Sequence, residues 1–193
     1  MKLNSNYWEN RYLNNEIAWN VGKITTPLKD YIDQIGDKSV KILIPGCGNG
    51  YEFEYLMNHG FTNCFVLDYA GTPLENLKKR ISNYNENQFI TSDFFEHESQ
   101  YDLIIEQTFF CALDPELRQK YVKKMKSLLS PNGKIVGLLF QFPLTESGPP
   151  FGGSKEEYTE LFSADFEIQT LETAYNSIKP RQGNELFFIF TKK

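Results

Sequence analysis

A glycine-rich segment directly after a short apolar run is the feature that most restricts how this chain can fold. Residues 40–45 read Val-Lys-Ile-Leu-Ile-Pro, glycines follow at positions 46, 48 and 50, and a helix-like segment begins at Tyr51. This order predicts a buried parallel strand, a tight turn and a helix N-terminus. Glycines let the backbone approach a ligand closely, and the free N–H groups of a helix N-terminus donate to electron-rich groups. The segment therefore predicts a ligand-binding turn in an α/β fold.

A second apolar run, residues 65–67, ends at Asp68, which lies 22 residues after Gly46. In doubly wound folds, an acidic residue about 20 positions beyond the glycines accepts hydrogen bonds from ribose hydroxyls. The glycines follow a G-x-G-x-G pattern without the G-x-x-G ending of dinucleotide folds, which favours S-adenosylmethionine (SAM) over a nicotinamide dinucleotide. The alternative is a glycine turn that only joins a strand to a helix.

Bulk properties exclude several other classes of protein. The net charge is −5 and no basic run occurs, so no nucleic-acid partner is expected. No apolar run approaches the ~20 residues of a membrane span, and the first residues lack an apolar secretion segment. The three cysteines and two histidines lack metal-ligand spacing, so we expect no metal site and reduced thiols in a cytoplasmic protein. The sequence sets no oligomeric state.

Apolar periodicity and turn residues predict one α/β domain over residues 1–193, with an N-terminal lid and helix in 1–36 and a core in 40–193. Strands are predicted at 40–45, 65–68, 88–91, 101–107, 134–140, 166–171 and 186–190. Helices are predicted at 26–35, 51–59, 72–82, 115–129 and 155–162, with Thr26 and Asp114 as caps and a turn at 130–133. Because only a loop separates the last two strands, they are predicted to pair antiparallel.

Aromatic residues cluster before the first core strand. Tyr7, Trp8, Arg11 and Tyr12 share one face of a predicted helix, and Trp19 follows shortly after. One interpretation is an amphipathic helix that packs on the sheet. The other is a lid whose aromatic faces cover a cationic sulfonium group, because aromatic rings attract positive charge.

Polar residues follow the third and fourth predicted strands. Asp93 and Phe94 come directly after the third strand, where a carboxylate can accept the adenine amino group while a ring stacks on the base. The alternative for Asp93 is an Asx turn. Glu106 and Gln107 end the fourth strand and are candidates for binding a cofactor ammonium group.

Two residues further along the chain allow both a functional and a structural interpretation. Cys111 is either a nucleophile or, more commonly for this residue type, a buried structural cysteine. Arg181 in the last loop is a candidate for attracting an anionic acceptor. The alternative for Arg181 is an exposed arginine without a functional role.

Together these segments resemble SAM-dependent methyltransferases of the thiopurine S-methyltransferase family, and most closely its plant thiol and halide (thiocyanate) methyltransferase branch. The resembling segments run through nearly the whole chain in order: 8–12, 19–22, 44–48, 68, 93–94, 108–113, 130–133, 148–151 and 181–185. The family resemblance implies a Rossmann-like doubly wound domain with a seven-stranded, mostly parallel sheet, a reversed last strand and an N-terminal helical lid. It implies cofactor contacts at Trp8, Tyr12, Trp19, Gly46, Gly48, Asp68, Asp93, Phe94 and Gln107.

The resemblance implies methyl transfer from SAM to a small acceptor, namely a thiol or a soft anion such as thiocyanate, a halide or a thiopurine-like compound. Such acceptors are already ionised near pH 7 and need no strong general base. Trp8 and Tyr12, with Arg181, are the candidate substrate contacts. Tyr12 and Gln107 stand where the plant branch has tryptophan and tyrosine, which leaves the acceptor open. Methylation of oxygen, nitrogen or a metalloid, and a SAM-binding module without turnover, are the alternatives.

Overall fold

In the computed structural model, which describes residues 3–193, seven strands form one mixed sheet. In chain order they are β1 Ile42–Pro45, β2 Cys64–Asp68, β3 Phe89–Thr91, β4 Tyr101–Gln107, β5 Leu129–Phe140, β6 Phe166–Thr173 and β7 Glu185–Lys192. Their order across the sheet is β3-β2-β1-β4-β5-β7-β6, and β7 runs antiparallel to both of its neighbours. The predicted α/β architecture with a reversed last strand is therefore confirmed.

Alternate residues of the central strands enter two separate cores, one on each face of the sheet. In β1, Leu43 belongs to one buried cluster, whereas Ile42 and Ile44 belong to the other. This division follows from the strand geometry, in which successive side chains point to opposite faces. All four residues of β1 are buried because both faces are covered, which is why the strand reads as a continuous apolar run.

Within residues 3–193, six α-helices lie around the sheet. They are α1 Ser5–Leu13, α2 Thr26–Ile32, α3 Tyr51–Asn58, α4 Gly71–Arg80, α5 Arg118–Leu128 and α6 Lys155–Ser163. Helices α5 and α6 contribute to the core on one face, and α2, α3 and α4 contribute to the core on the other. Helix α1 has half-buried and exposed side chains and packs beside α4. No helix within residues 3–193 is long and apolar enough to cross a membrane.

Three local predictions were wrong in detail. Helix α2 begins at Thr26, so Thr25 occupies the cap position, and the Thr25 hydroxyl bonds Gln107 instead of the helix. Asp114 caps a separate 3-10 turn, Pro115–Leu117, before α5 begins. The predicted turn at 130–133 lies inside β5, where the register with β4 shifts between the pairs Tyr101–Leu129 and Leu103–Lys134. The regular ladder is interrupted there, and Asn132 adopts a left-handed φ of +61° within the strand.

The chain topology determines where a crevice can form. From β1 the chain moves outward to β2 and β3 and then returns to β4 on the other side of β1. Loops leaving β1 and β4 at their carboxyl ends therefore diverge in opposite directions. In doubly wound sheets the ligand-binding crevice lies at this switch point.

Gly137 allows β5 to lie close to β4. It pairs with Glu106 in the ladder, and a Cβ added there would collide with the carbonyl oxygen of Glu106 and lie 2.7 Å from its Cβ. We expect Gly137→Ala to lower the free energy of unfolding by about 1–3 kcal/mol, as overpacking does in well-filled cores. Urea denaturation followed by circular dichroism measures this change. Gly36→Ala is the control because its Cβ would meet nothing within 4 Å; equal stability of the two variants would contradict the packing argument.

Candidate active site

A cavity of about 770 Å³ opens at the carboxyl ends of β1, β2 and β4. Its volume falls within the range of roughly 300–1,000 Å³ that is usual for small-molecule sites. The structure brings to its wall the ten residues given above as cofactor and substrate contacts: Trp8, Tyr12, Trp19, Gly46, Gly48, Asp68, Asp93, Phe94, Gln107 and Arg181. They come from four strand ends, the lid and the last loop, which the fold gathers at one place.

The glycine turn and Asp68 form one hydrogen-bonded unit. Gly46 and Gly48 have φ angles of +56° and +52°, which L side chains rarely adopt. A Cβ at Gly46 would overlap the ring of Phe109, and a Cβ at Gly48 would lie 2.8 Å from the Tyr12 hydroxyl. The Asp68 carboxylate accepts hydrogen bonds from Gly48 N at 2.9 Å and Ala70 N at 3.0 Å. Burial raises the pKa of Asp68 to about 6, although these backbone donors act against the rise.

Three aromatic rings form the roof of the cavity. The rings of Trp8 and Trp19 pack edge to face with their centroids 5.6 Å apart, and those of Tyr12 and Trp19 do so with their centroids 5.7 Å apart. Burial, with a further contribution from Asp68, raises the pKa of Tyr12. The Tyr12 hydroxyl therefore stays neutral near pH 7, and the roof directly above Gly48 carries no negative charge.

Glu9 attaches the lid to the core. Its carboxylate accepts hydrogen bonds from Gly71 N at 2.9 Å, from Thr72 N at 3.2 Å and from the Thr72 hydroxyl. Helix α4 has Ala70 at its cap position and no side-chain cap of its own, so Glu9 supplies the missing acceptor from another helix. The negative charge of Glu9 is also stabilised there by the positive end of the α4 helix dipole. This contact sets the lid directly above the loop that follows Asp68.

Asp93 and Phe94 lie at the same end of the cavity as Asp68. Asp93 Oδ1 accepts a hydrogen bond from Phe95 N at 2.8 Å, so the Asx turn considered from the sequence is present. This bond occupies one carboxylate oxygen and leaves the other as an acceptor. Phe94 is only 4% exposed and packs edge to face against Phe95 and Phe109. Its ring belongs to the protein core as well as to the cavity wall.

Polar residues meet at the other end of the cavity, beside the end of β4. The Gln107 amide satisfies both its ends when its nitrogen donates to Thr25 Oγ1 at 2.9 Å and Glu52 Oε1 at 3.0 Å while its oxygen accepts from Arg181 at 3.2 Å. Burial raises the pKa of Glu52 to about 7, and its own backbone N–H and the Arg181 guanidinium oppose this rise. Gln107 thus contacts both the Glu52 carboxylate and the Arg181 guanidinium at one wall of the cavity.

Arg181 is buried, so the alternative of an exposed arginine does not hold. Its guanidinium pairs with Glu185 at 3.3 Å and donates to the backbone oxygen of Trp19 at 2.9 Å. It therefore connects the last loop of the chain to the aromatic roof. A buried guanidinium that also reaches the cavity wall is suited to attract an anion.

Glu106 does not reach the cavity, which corrects its assignment as a candidate for binding an ammonium group. It is completely buried, and its carboxylate accepts from Phe109 N, Phe110 N and the Tyr121 hydroxyl at 2.7–3.0 Å. Neighbouring residues of a strand point to opposite faces, so Glu106 and Gln107 could not both face the ligand. Glu106 instead shapes the backbone that leaves β4.

Sequence reasoning did not identify Glu9, Thr25, Glu52 or Glu185 as part of this region. Glu52 lies in the first turn of α3, directly after the glycine turn, and this proximity was an available indication. Thr25 bonds Gln107, which lies 82 residues away in the chain, and Glu9 bonds Gly71, which lies 62 residues away. Glu185 pairs with Arg181, which lies 4 residues away. Separations of 82 and 62 residues cannot be read from local pattern, whereas the four-residue separation of Arg181 and Glu185 was an available indication.

Comparison with known proteins shows the family to which the chain belongs. Residues 3–191 match the family model described as Thiopurine S-methyltransferase (TPMT). "Probable thiol methyltransferase 2" of Arabidopsis thaliana is 30% identical over 184 residues, covering 92% of this chain and 81% of that protein. "Thiocyanate methyltransferase 1" of Brassica oleracea is 27% identical over 186 residues, with the same coverage of 92% and 81%.

A solved structure shows the same fold at low sequence identity. The Burkholderia thailandensis 1,6-didemethyltoxoflavin-N1-methyltransferase, crystallised with 1,6-didemethyltoxoflavin and S-adenosylhomocysteine, has a TM-score of 0.78 and 17% identity. The match covers 98% of this chain and 87% of that one. With the family match, the sheet topology and the glycine turn define the class: the chain is a SAM-dependent methyltransferase. Within that class, it belongs to the thiopurine S-methyltransferase family, which confirms the resemblance stated from the sequence.

Because Glu9 caps α4 from the lid, its removal should loosen the lid without unfolding the core. Both tryptophans lie in the lid, so their fluorescence reports its docking. We expect Glu9→Ala to weaken docking by about 1 kcal/mol, the usual effect of losing a helix cap, and to increase acrylamide quenching of tryptophan emission. Glu75→Ala removes an exposed carboxylate from the same helix α4 and should leave quenching as in the wild type. Unchanged quenching in Glu9→Ala would show that Glu9 does not hold the lid.

Proposed function

We propose that this enzyme transfers the methyl group of SAM to a small thiol or soft anion of the thiocyanate, halide or thiopurine type. The observation that carries the proposal is the cavity itself, which combines a glycine turn, carboxylates and a roof of aromatic rings. SAM is a cation with a planar base, a ribose diol and an amino-acid end. Each of these groups has a chemically suitable partner along the wall.

The residues of the wall fit the parts of SAM in order. The glycine turn leaves the space that a Cβ would fill, so Gly46 and Gly48 would let the cofactor lie against the backbone. Asp68 would accept hydrogen bonds from the ribose hydroxyls. Asp93 and Phe94 would face the adenine, and Gln107 would lie near the methionine moiety. These assignments rest on the cavity wall and on the family match.

When bound, SAM supplies a methyl group activated by its positively charged sulfur. The protein must hold the acceptor, the methyl carbon and the sulfur in line and keep water out. Trp8, Tyr12 and Trp19 would do both, because their faces favour a cation and their packing closes the cavity from above. Trp8 and Tyr12 would also contact the acceptor.

The nature of the wall favours an acceptor that is already ionised. Among the described residues that line the cavity, no histidine is present to act as a base. Burial raises the pKa of the Cys111 thiol, so this group stays protonated and is unsuited as a nucleophile. Arg181 would attract an anionic acceptor toward the reacting centre. The relatives named above are a thiol and a thiocyanate methyltransferase, which agrees with this acceptor class.

We further propose that the enzyme works in the cytoplasm on free small molecules, without a nucleic-acid partner. The net charge of −5 opposes binding to a phosphate backbone. All three cysteines are buried free thiols, as is usual for a reducing compartment. Residues 1–193 would act as a single domain, with the lid in 1–36 and the catalytic core in 40–193.

A labelled-methyl assay across several acceptor types tests the proposal. The panel comprises aliphatic and aromatic thiols, thiocyanate, iodide, thiopurines, tellurite, a catechol and a primary amine. We expect turnover with thiols or soft anions and none with the catechol or the amine. Preferred turnover of an oxygen, nitrogen or metalloid acceptor would overturn the sulfur and soft-anion assignment. SAM binding without any turnover would identify a binding module instead.

Asp68 provides a quantitative test of the cofactor assignment. Its replacement by alanine would leave ribose hydroxyls and Gly48 N without an acceptor, so we expect Asp68→Ala to weaken SAM binding by ~1–3 kcal/mol. Isothermal titration calorimetry measures the affinity. Glu98→Ala, which removes an exposed carboxylate, serves as the control. Wild-type affinity in Asp68→Ala would refute the ribose role.

A further inference from the structure

Glu52 is a buried carboxylate in the cavity wall without a cationic partner. Its side chain is 8% exposed and contributes to the lining of the cavity. Among residues 3–193, none of the ion pairs within 4.0 Å involves Glu52. A buried carboxylate is costly unless it is paired or hydrogen-bonded, so such a group in a binding cavity calls for an explanation.

The charges around Glu52 do not balance. Arg181 is the cation whose charge lowers the pKa of Glu52, but the Arg181 guanidinium already pairs with Glu185 at 3.3 Å. When both carboxylates are ionised, this local group has two negative charges and one guanidinium, so it lacks one positive charge. The Gln107 amide donates to Glu52 Oε1 at 3.0 Å and fixes the carboxylate, but it adds no charge. The missing component is a positive group.

The position of Glu52 indicates which positive group this is. Asp68 and Asp93 lie at the carboxyl ends of β2 and β3, whereas Glu52 and Gln107 lie across the glycine turn, beside the end of β4. If adenosine lies at the Asp68 end, as the proposed function requires, then the amino-acid end of SAM extends toward Glu52. That end carries an ammonium group with three donors, which suits a carboxylate acceptor.

We infer that the Glu52 carboxylate binds the α-ammonium group of SAM and of the product S-adenosylhomocysteine, with Gln107 as the residue that orients it. This inference rests on the proposed function. Glu52 thereby selects nucleosides that carry the complete amino-acid end over those that lack it. Glu52 of α3 therefore has the ammonium-binding role for which the sequence analysis considered Glu106.

Ligand truncation separates this role from a structural one. S-adenosylhomocysteine and 5′-methylthioadenosine share the adenosine and the thioether, but only the first has an ammonium group. By calorimetry we expect Glu52→Gln to weaken S-adenosylhomocysteine ~10–100-fold, the range for a hydrogen bond to a charged group, and to leave 5′-methylthioadenosine unchanged. Asp68→Asn is the matched control and should weaken both ligands alike, because both contain the ribose.

A third ligand, S-adenosylhomocysteine without its amino group, completes a thermodynamic double-mutant cycle between ligand and protein. The wild type should bind this ligand more weakly than S-adenosylhomocysteine. Glu52→Gln should bind the two ligands with equal affinity, because the loss of the amino group and the loss of the carboxylate remove the same interaction. If Glu52→Gln does not fold, Glu52→Asp keeps the charge and should reduce the preference for the aminated ligand only in part. Full wild-type preference in that variant would overturn the assignment.

Two results would overturn the inference and leave the proposed function intact. One is an equal loss for S-adenosylhomocysteine and 5′-methylthioadenosine in Glu52→Gln. The other is unchanged binding of both ligands with reduced turnover, which would make Glu52 a proton acceptor for the substrate. Absence of S-adenosylhomocysteine binding to the wild type would instead overturn the proposed function itself, and the Glu52 assignment with it.

Discussion

The hydrogen bonds of the Asp68 carboxylate hold the site together. One oxygen accepts from Gly48 N in the turn after β1, and the other accepts from Ala70 N at the start of α4. A single side chain thus connects two loops that leave neighbouring strands. Glu9 then caps the same helix from the lid, so the position of the roof depends on the same corner of the fold. The carboxylate is buried, which makes each of these bonds stronger than it would be in water.

The distribution of charge suits the chemistry of methyl transfer. Carboxylates lie at both ends of the cavity, an aromatic roof lies above with Arg11 against Trp19, and the buried guanidinium of Arg181 lies at one side. A positively charged sulfur and an anionic acceptor lose their opposite charges as the methyl group moves. A cavity that excludes water favours such a reaction, because water stabilises the separated charges more than the transition state. Placement of the reactants then does most of the catalytic work.

Those parts of the site that depend on local pattern were predictable. Gly46 and Gly48 come just after the first strand, Asp68 ends the second and Asp93 lies two residues beyond the third, so each position could be inferred from its own neighbours in the chain. The switch-point rule then places them at one edge of the sheet. The aromatic residues of the lid were identifiable because Trp8 and Tyr12 recur at helical spacing.

The sequence by itself determined the class of fold, the glycine turn, the acids at the strand ends and the aromatic character of the roof, because strand and helix periodicity and turn chemistry are local properties. Only the tertiary structure decided that Glu106 faces the core, that Arg181 is buried against Glu185, and that Glu52 lies at the cavity wall beside Gln107 without an ion pair. The direction of a side chain and the partner of a charge depend on how distant segments pack. That packing is a property of the whole chain, since burial and pairing arise only when separate elements meet.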